Sequence, residues 1–135
     1  MPVYTTAITI PANTPENTPV EAELTIYERY ITSIDVFFPY GCAGLARVRA
    51  YYGSEQIAPK PTGSDFRGDG GFIRSPMRWR APEWPCPIRF EAWNLDDTYQ
   101  HTPIVFIVTA EEEEVPAWSM LRDLVSILKR ILGLG

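Results

Sequence analysis

The single histidine follows closely on an aspartate pair, and this combination could bind a metal ion or transfer a proton. The residues are His101, Asp96 and Asp97, in the stretch WNLDDTYQHT. Imidazole and carboxylate groups serve both purposes in proteins, but this spacing matches no established ligand set. Aspartates between two strands commonly form Asx turns, in which the carboxylate accepts nearby backbone N–H groups. We therefore expect a turn and no metal site here, with a calcium ion at the two aspartates as the weaker alternative.

Two tryptophans and several arginines are concentrated in the segment MRWRAPEWPCPIRF. Trp79 and Trp84 could stack on sugar rings or on single-stranded nucleic acid, with the neighbouring arginines supplying charge. Tryptophans in loops more often attach the loop to the fold, while arginine stems cover the rings. A structural role is the first interpretation, and a carbohydrate-binding loop at Trp79 and Trp84 is the alternative.

The remaining residues with reactive side chains form no recognisable catalytic motif. One histidine and no nucleophile motif cannot supply a Ser/His/Asp or Cys/His arrangement. The Arg67–Asp69 triplet lies in GSDFRGDGG, a composition typical of a tight turn. Cys42 and Cys86 are too few for a metal or disulfide framework, and we expect both to be buried and reduced, with a bond between them as the alternative. The sequence predicts no enzyme and no cofactor.

The elements that position these residues read mainly as strands. Apolar and polar residues alternate in VEAELTIY, ITSIDVFFP, LARVRAYYG and IRFEAWNL, which is typical of strands with one buried face. GGFIRS is a short candidate strand, and PIVFIVTA is almost wholly apolar and predicts a central strand covered on both faces. Short strands separated by glycine- and proline-rich turns predict an antiparallel β-sandwich or jelly roll over residues 20–110.

Residues 1–19 predict an N-terminal arm, with a strand-like VYTTAITI and a proline-rich linker PANTPENTP. The arm could pair with the sheet edge of a neighbour, or it could be an ordinary edge strand of its own domain. With 135 residues the chain suits one domain with its own core.

The charge and hydropathy of the chain narrow the classes of partner and the cellular locations that we expect for it. A net charge of −5, without a basic stripe, argues against nucleic-acid binding. The N-terminus lacks the basic and apolar regions of a signal peptide, and no apolar run reaches the ~20 residues of a membrane span. We therefore expect a protein made in the cytoplasm and not secreted through a signal peptide.

Residues 111–135 predict an acidic linker and an amphipathic helix. The run Glu111–Glu114 and the pair Lys129 and Arg130 suit the two ends of a helix dipole, and Pro116 suits its first turn. The helix could cover its own sandwich, bind copies of itself or a neighbouring subunit, or, less expectedly, lie on a membrane. The residues expected to bind a partner are Trp118, Leu121, Leu124, Val125, Leu128, Ile131 and Leu132.

Several segments resemble small β-sandwich proteins encoded among the virion genes of tailed phages. The segments are ANTPENTPVEAELTI, FPYGCAGLARVRAYYGSEQIAP, DGGFIRS and WNLDDTYQHTPIVFIVT, and the resemblance spans about residues 12–109. It implies a non-enzymatic capsid decoration or head and tail surface protein, located in the virion, that binds a capsid protein or neighbouring subunit. We expect the arm and helix to mediate assembly into a homo-oligomer, with a trimer favoured.

Overall fold

Eight strands followed by one helix make up the regular structure of the described chain. The computed structural model describes residues 2–111 and 117–133, and the side chains of residues 2–111 and 124–133. The strands are β1 (Val3–Ala7), β2 (Val20–Ile26), β3 (Tyr30–Phe38), β4 (Ala46–Tyr52), β5 (Glu55–Ala58), β6 (Gly71–Arg80), β7 (Cys86–Asn94) and β8 (Ile104–Ala110), and the helix is α1 (Ala117–Ile131).

The strands form two four-stranded antiparallel sheets, which confirms the predicted mainly β sandwich with a C-terminal helix. The strand orders are β1-β8-β3-β6 and β2-β7-β4-β5. Each strand of the first half of the chain therefore pairs with its counterpart in the second half: β1 with β8, β2 with β7, β3 with β6 and β4 with β5. An eight-stranded double sheet with this nested pairing is a jelly roll.

The core lies between the sheets and is built by alternate residues of the strands. In β3, for example, Ile34, Val36 and Phe38 point inward and are fully buried. Three phenylalanines and several isoleucines are the largest side chains of this core, at positions 38, 66, 90, 10, 26, 31, 34, 88 and 107. Because these side chains are buried by the strands and loops themselves, the sandwich has a complete core without a contribution from the described helical side chains.

The N-terminal segment belongs to the sandwich and is not a separate arm. Strand β1 pairs with β8, from Val3 opposite Val108 to Ala7 opposite Ile104. Ile8 and Ile10, which follow it, are buried in the core. Of the two alternatives left open by the sequence, the structure shows the edge strand, because these isoleucines have their apolar partners within the same chain. The sandwich accordingly begins near residue 3 and not at residue 20.

Strands β5 and β6 differ from the sequence prediction. β5 has four residues and was too short to show an alternating pattern. β6 continues through Pro76 to Arg80, well beyond the predicted GGFIRS. Proline is tolerated there because β6 is an edge strand, so its missing N–H faces away from the sheet. Trp79 therefore lies on a strand, and the loop begins only after Arg80.

The last strand, β8, is fully buried on one face and half-buried on the other within the described chain. Val105, Ile107 and Thr109 are buried between the sheets, whereas Ile104, Phe106 and Val108 are half-buried on the outer side. The predicted cover on both faces is therefore complete only on the inner face. The almost wholly apolar sequence of β8 thus places hydrophobic side chains on the outer surface of the sandwich.

Helix α1 ends with Lys129 and Arg130 in its last turn, where positive charge favours the helix dipole. The predicted acidic contribution to its N-terminus falls mostly on residues 112–116, which lie outside the described residues. No helix among the described residues has the length and apolar character needed to cross a membrane.

Candidate interaction surfaces

The described part of helix α1 presents an apolar face to the surface. Leu124, Ile127, Leu128 and Ile131 recur at spacings of three and four, and Val125 and Leu132 extend the same side. At 100° per residue these six side chains span an arc of about 160°, whereas Ser126, Lys129 and Arg130 lie on the other side. The six are between 43% (Val125) and 73% (Ile131) exposed.

Five of the seven residues predicted to bind a partner therefore lie on one exposed surface: Leu124, Val125, Leu128, Ile131 and Leu132. Ile127 belongs to the same surface, although it was not among the seven. The side chains of Trp118 and Leu121 lie outside the described residues. At ~1.5–3 kcal/mol for each fully buried side chain, and roughly half of that still available, the six could contribute on the order of 5–10 kcal/mol to binding.

A second candidate surface is a pocket beside Trp84, with a volume of about 380 Å³. Trp84 is 57% exposed, its indole N–H donates to the carbonyl of Tyr27, and the Arg29 guanidinium lies 5.3 Å from the ring centroid. The remaining lining residues are Arg80, Ala81, Pro82 and Glu83. The pocket combines an exposed aromatic ring with two cations and the Glu83 carboxylate, a chemistry that suits a polar ligand or one that carries a negative charge near the arginines.

The two predicted tryptophans do not share this pocket. Trp79 is half-buried on the inner side of β6, where its ring lies 5.5 Å from that of Tyr52 and packs against the core. Arg29, which comes from the β2–β3 connection, takes the position over the Trp84 ring. Sequence reasoning missed Arg29 because it lies 55 positions before Trp84, and only the nested strand pairing brings the two together.

The aspartates and the histidine form the predicted turn. The Asp96 carboxylate accepts the N–H groups of Thr98 and Tyr99, and its other oxygen lies 2.8 Å from His101 Nε2. These bonds, first the one from Thr98 and then that with His101, lower the pKa of Asp96. Asp97 accepts the Thr98 hydroxyl. Both carboxylates are thus engaged locally, and His101 is held by its partner instead of facing a cleft.

This turn is attached to the N-terminal segment by a buried amide. The Asn94 side chain is almost fully buried and donates to the carbonyls of Ile10, Pro11 and Tyr99. Its oxygen accepts the N–H of Asp96 at 2.9 Å. Each polar atom of the amide has a hydrogen-bond partner within the protein, so a structural role accounts for the cluster.

No group of three or more histidine, cysteine or acidic side chains is placed to hold a metal ion within residues 2–111 and 117–133. Cys42 and Cys86 are both buried and unbonded, and burial raises the pKa of each thiol. The Asp69 carboxylate of the Arg-Gly-Asp triplet accepts the N–H of Gly41 at 2.8 Å, so it fixes a neighbouring loop.

Comparison with protein-family models and with curated proteins finds no match to this chain. The candidate surfaces are therefore judged by their own chemistry.

Proposed function

We propose that this chain is a non-enzymatic assembly protein, in which a jelly-roll body carries a C-terminal helix that binds another subunit. The observation that carries the proposal is the exposed apolar face of α1, from Leu124 to Leu132, on a sandwich whose core is complete without it. A face of this size in water favours association, because contiguous apolar patches on soluble proteins mark interaction surfaces.

The energetics favour a closed oligomer over a single contact. Association costs an estimated 4–15 kcal/mol in lost translational and rotational freedom. One docked helix offers a gain of the same order, so it would give a weak complex by itself. In a closed ring every subunit both donates and receives a helix, so the number of contacts equals the number of subunits. We expect a small homo-oligomer, with a trimer favoured.

The proposed setting is the surface of a virus particle, where the chain decorates a capsid protein or a neighbouring subunit. This setting comes from the resemblance of residues 12–109 to tailed-phage virion proteins. The jelly-roll body is compatible with it, since a rigid sandwich can present binding elements at its surface. Recovery of the chain with density-purified particles would support the setting, and its recovery only in the particle-free fraction would contradict it.

Two forms of the protein test the assembly role: the full chain and a version ending at Val115. We expect the full chain to be oligomeric by light scattering and the shortened chain to be a folded monomer. Thermal unfolding of both controls for damage to the sandwich. A monomeric full chain, or a shortened chain that remains oligomeric, would contradict the role of the helix.

A carbohydrate-binding module is the second candidate function, and the pocket beside Trp84 favours it. An exposed indole flanked by Arg29 and Arg80 suits an acidic sugar, whose ring would stack and whose carboxylate or sulfate would pair with a guanidinium. The test is a glycan screen with the full chain, the Trp84→Ala variant and a Tyr99→Ala control. Binding lost only in Trp84→Ala would support this function, and the absence of any bound glycan would remove it.

A further inference from the structure

The outer face of the β1-β8-β3-β6 sheet carries a cluster of aromatic rings on the surface of the sandwich. Phe37 of β3 stands opposite Phe72 of β6, and their ring centroids are 5.0 Å apart. Phe72 also lies 5.6 Å from Phe106 of β8 and is 54% exposed. The rings thus form a continuous apolar surface across three strands.

Aliphatic side chains extend this surface toward the β1 edge. Ile104 and Val108 of β8 point outward on either side of Phe106, and Val3 of β1 stands opposite Val108. We call these six residues the outer apolar face: Val3, Phe37, Phe72, Ile104, Phe106 and Val108. Polar residues lie on the same side of the sheet, since Thr5 of β1 and Asp35 of β3 both stand opposite Phe106. Antiparallel sheets that face water normally carry mainly polar side chains there, so the six apolar residues indicate a surface that is covered in part.

The other sheet of the same molecule provides an internal comparison. Its outer side carries charged residues in pairs: Arg47 and Arg49 bind Asp65, and Arg89 binds Glu91. Arg49 and Arg89 also lie over the rings of Trp93 and Tyr51. Ion pairs therefore dominate the outer side of one sheet, whereas the outer side of the other carries the six apolar residues beside Thr5, Asp35 and Arg74.

We propose that the outer apolar face is the docking site for the C-terminal helix of a second copy of this chain. This inference rests on the proposed function and names the surface that the helix binds. The two surfaces match in length, because a helix of 15 residues and a seven-residue strand such as β8 are each about 23 Å long. They match in chemistry, since both are apolar, and each is accessible: Val3 and Phe72 are exposed and the other four residues of the outer apolar face are half-buried.

The exposure of both surfaces in one chain points to a second copy as the occupant. Phe72 and the described residues of α1 are about half exposed, so the helix does not shield this face within its own molecule. Six residues separate the end of β8 from the start of α1, which allows the helix to reach a neighbour up to about 20 Å away. A helix that leaves one copy and docks on the next can close a ring.

Two full-length variants test the contact by complementation. Phe72→Lys removes the most exposed ring of the outer apolar face, and lysine is tolerated on an edge strand. Leu128→Lys places a charge in the apolar face of α1, near the helix end that favours positive charge. Each variant alone should associate about 100-fold more weakly than the unmodified chain. Matched controls are Tyr99→Lys in the β7–β8 connection and Ser126→Lys on the polar side of α1.

The decisive sample is an equimolar mixture of the two variants. The Phe72→Lys chain keeps an intact helix and the Leu128→Lys chain keeps an intact face, so one contact survives between them. Because one contact gives only a weak complex, the samples are compared at high protein concentration. There we expect the mixture to form a heterodimer by sedimentation velocity while each variant alone stays monomeric. Both controls should assemble like the unmodified chain, and all variants should retain its thermal unfolding transition.

The other outcomes separate the two proposals. If Phe72→Lys assembles normally while Leu128→Lys does not, helices bind each other or another surface, and only the docking site is overturned. If the mixture stays monomeric, the docking contact between copies is overturned as well. If the unmodified chain is itself a monomer and Phe72→Lys lowers only its stability, the helix covers its own sheet, and both proposals fail.

Discussion

Replacing Asp65 by asparagine tests how charge is held on the outer side of the β2-β7-β4-β5 sheet. Asp65 pairs with Arg47 at 3.2 Å and with Arg49 at 2.6 Å. Arg49 also pairs with Glu16 at 3.0 Å. The sequence predicts two solvent-facing arginines on β4, but the loop that carries Asp65 leaves their side chains only 17–18% exposed and Asp65 itself only 10% exposed.

The size of the expected loss in the free energy of unfolding follows from this partial burial. Exposed ion pairs contribute roughly 0–1 kcal/mol, whereas breaking a buried pair costs about 3–5 kcal/mol. Asparagine keeps the volume, but its single oxygen can accept from one guanidinium and its amide then faces the other. We expect Asp65→Asn to lower the free energy of unfolding by about 2 kcal/mol, between those limits.

Urea unfolding monitored by tryptophan fluorescence measures this difference. With a slope of about 1.5 kcal/mol per molar urea, the midpoint should fall by about 1.3 M. Glu16→Gln is the matched control: Glu16 binds the same Arg49 but its side chain is 58% exposed, so we expect less than about 0.5 kcal/mol. Equal effects of the two substitutions would refute the reasoning from burial. All samples need the same protein concentration, because the proposed assembly would also contribute to stability.

Three further predictions concern the turns and the thiols. The pKa of Asp96 is lowered in the folded state, so the stability that its carboxylate contributes is present above about pH 4 and is lost as the pH falls through that pKa. Asp96→Asn should therefore make thermal stability depend less on pH in the acid range. An unchanged dependence would contradict this. A thiol reagent such as DTNB should leave Cys42 and Cys86 unmodified in the native protein and react with both in denaturant. The reason is that both thiols are buried and have raised pKa values. Rapid labelling of the native protein would contradict their burial. Gly70→Ala should lower the free energy of unfolding, measured with urea, by about 1 kcal/mol, because Gly70 has φ +68°, a conformation that alanine adopts only with strain. The exposed Tyr40 ring beside it can turn away and should add little. An unchanged stability would contradict the assigned backbone conformation.

The strand periodicity was the most informative part of the sequence. In β2, β3, β4 and β7 the alternation predicted which residues face the core, and Ile26, Val36, Val48 and Phe90 are indeed buried. The nested pairing of strands could not be predicted, because period-two patterns define the face of a strand and not its neighbour. The length of β6 was missed because Pro76 predicts the end of a strand unless that strand is known to lie at the edge of a sheet.

The interaction surfaces were predictable to different degrees. The apolar face of α1 follows from helical periodicity alone, since its residues are close in sequence. The outer apolar face joins β1, β3, β6 and β8, which are distant in sequence, so Phe37, Phe72 and Phe106 could not be grouped without the topology. The one signal available was the unbroken apolar run of β8, which correctly indicates two apolar sides but not that the outer one is only half-buried.

The absolute mass of the unmodified chain in solution tests the central claim most directly. Light scattering over a wide concentration range should give a multiple of 15.3 kDa, with three times that mass favoured, and dissociation on dilution. Assembly would support the proposal that the apolar face of α1, which is exposed from Leu124 to Leu132 in the single chain, is buried between copies. A mass of 15.3 kDa at every concentration, with the protein soluble and folded, would contradict it.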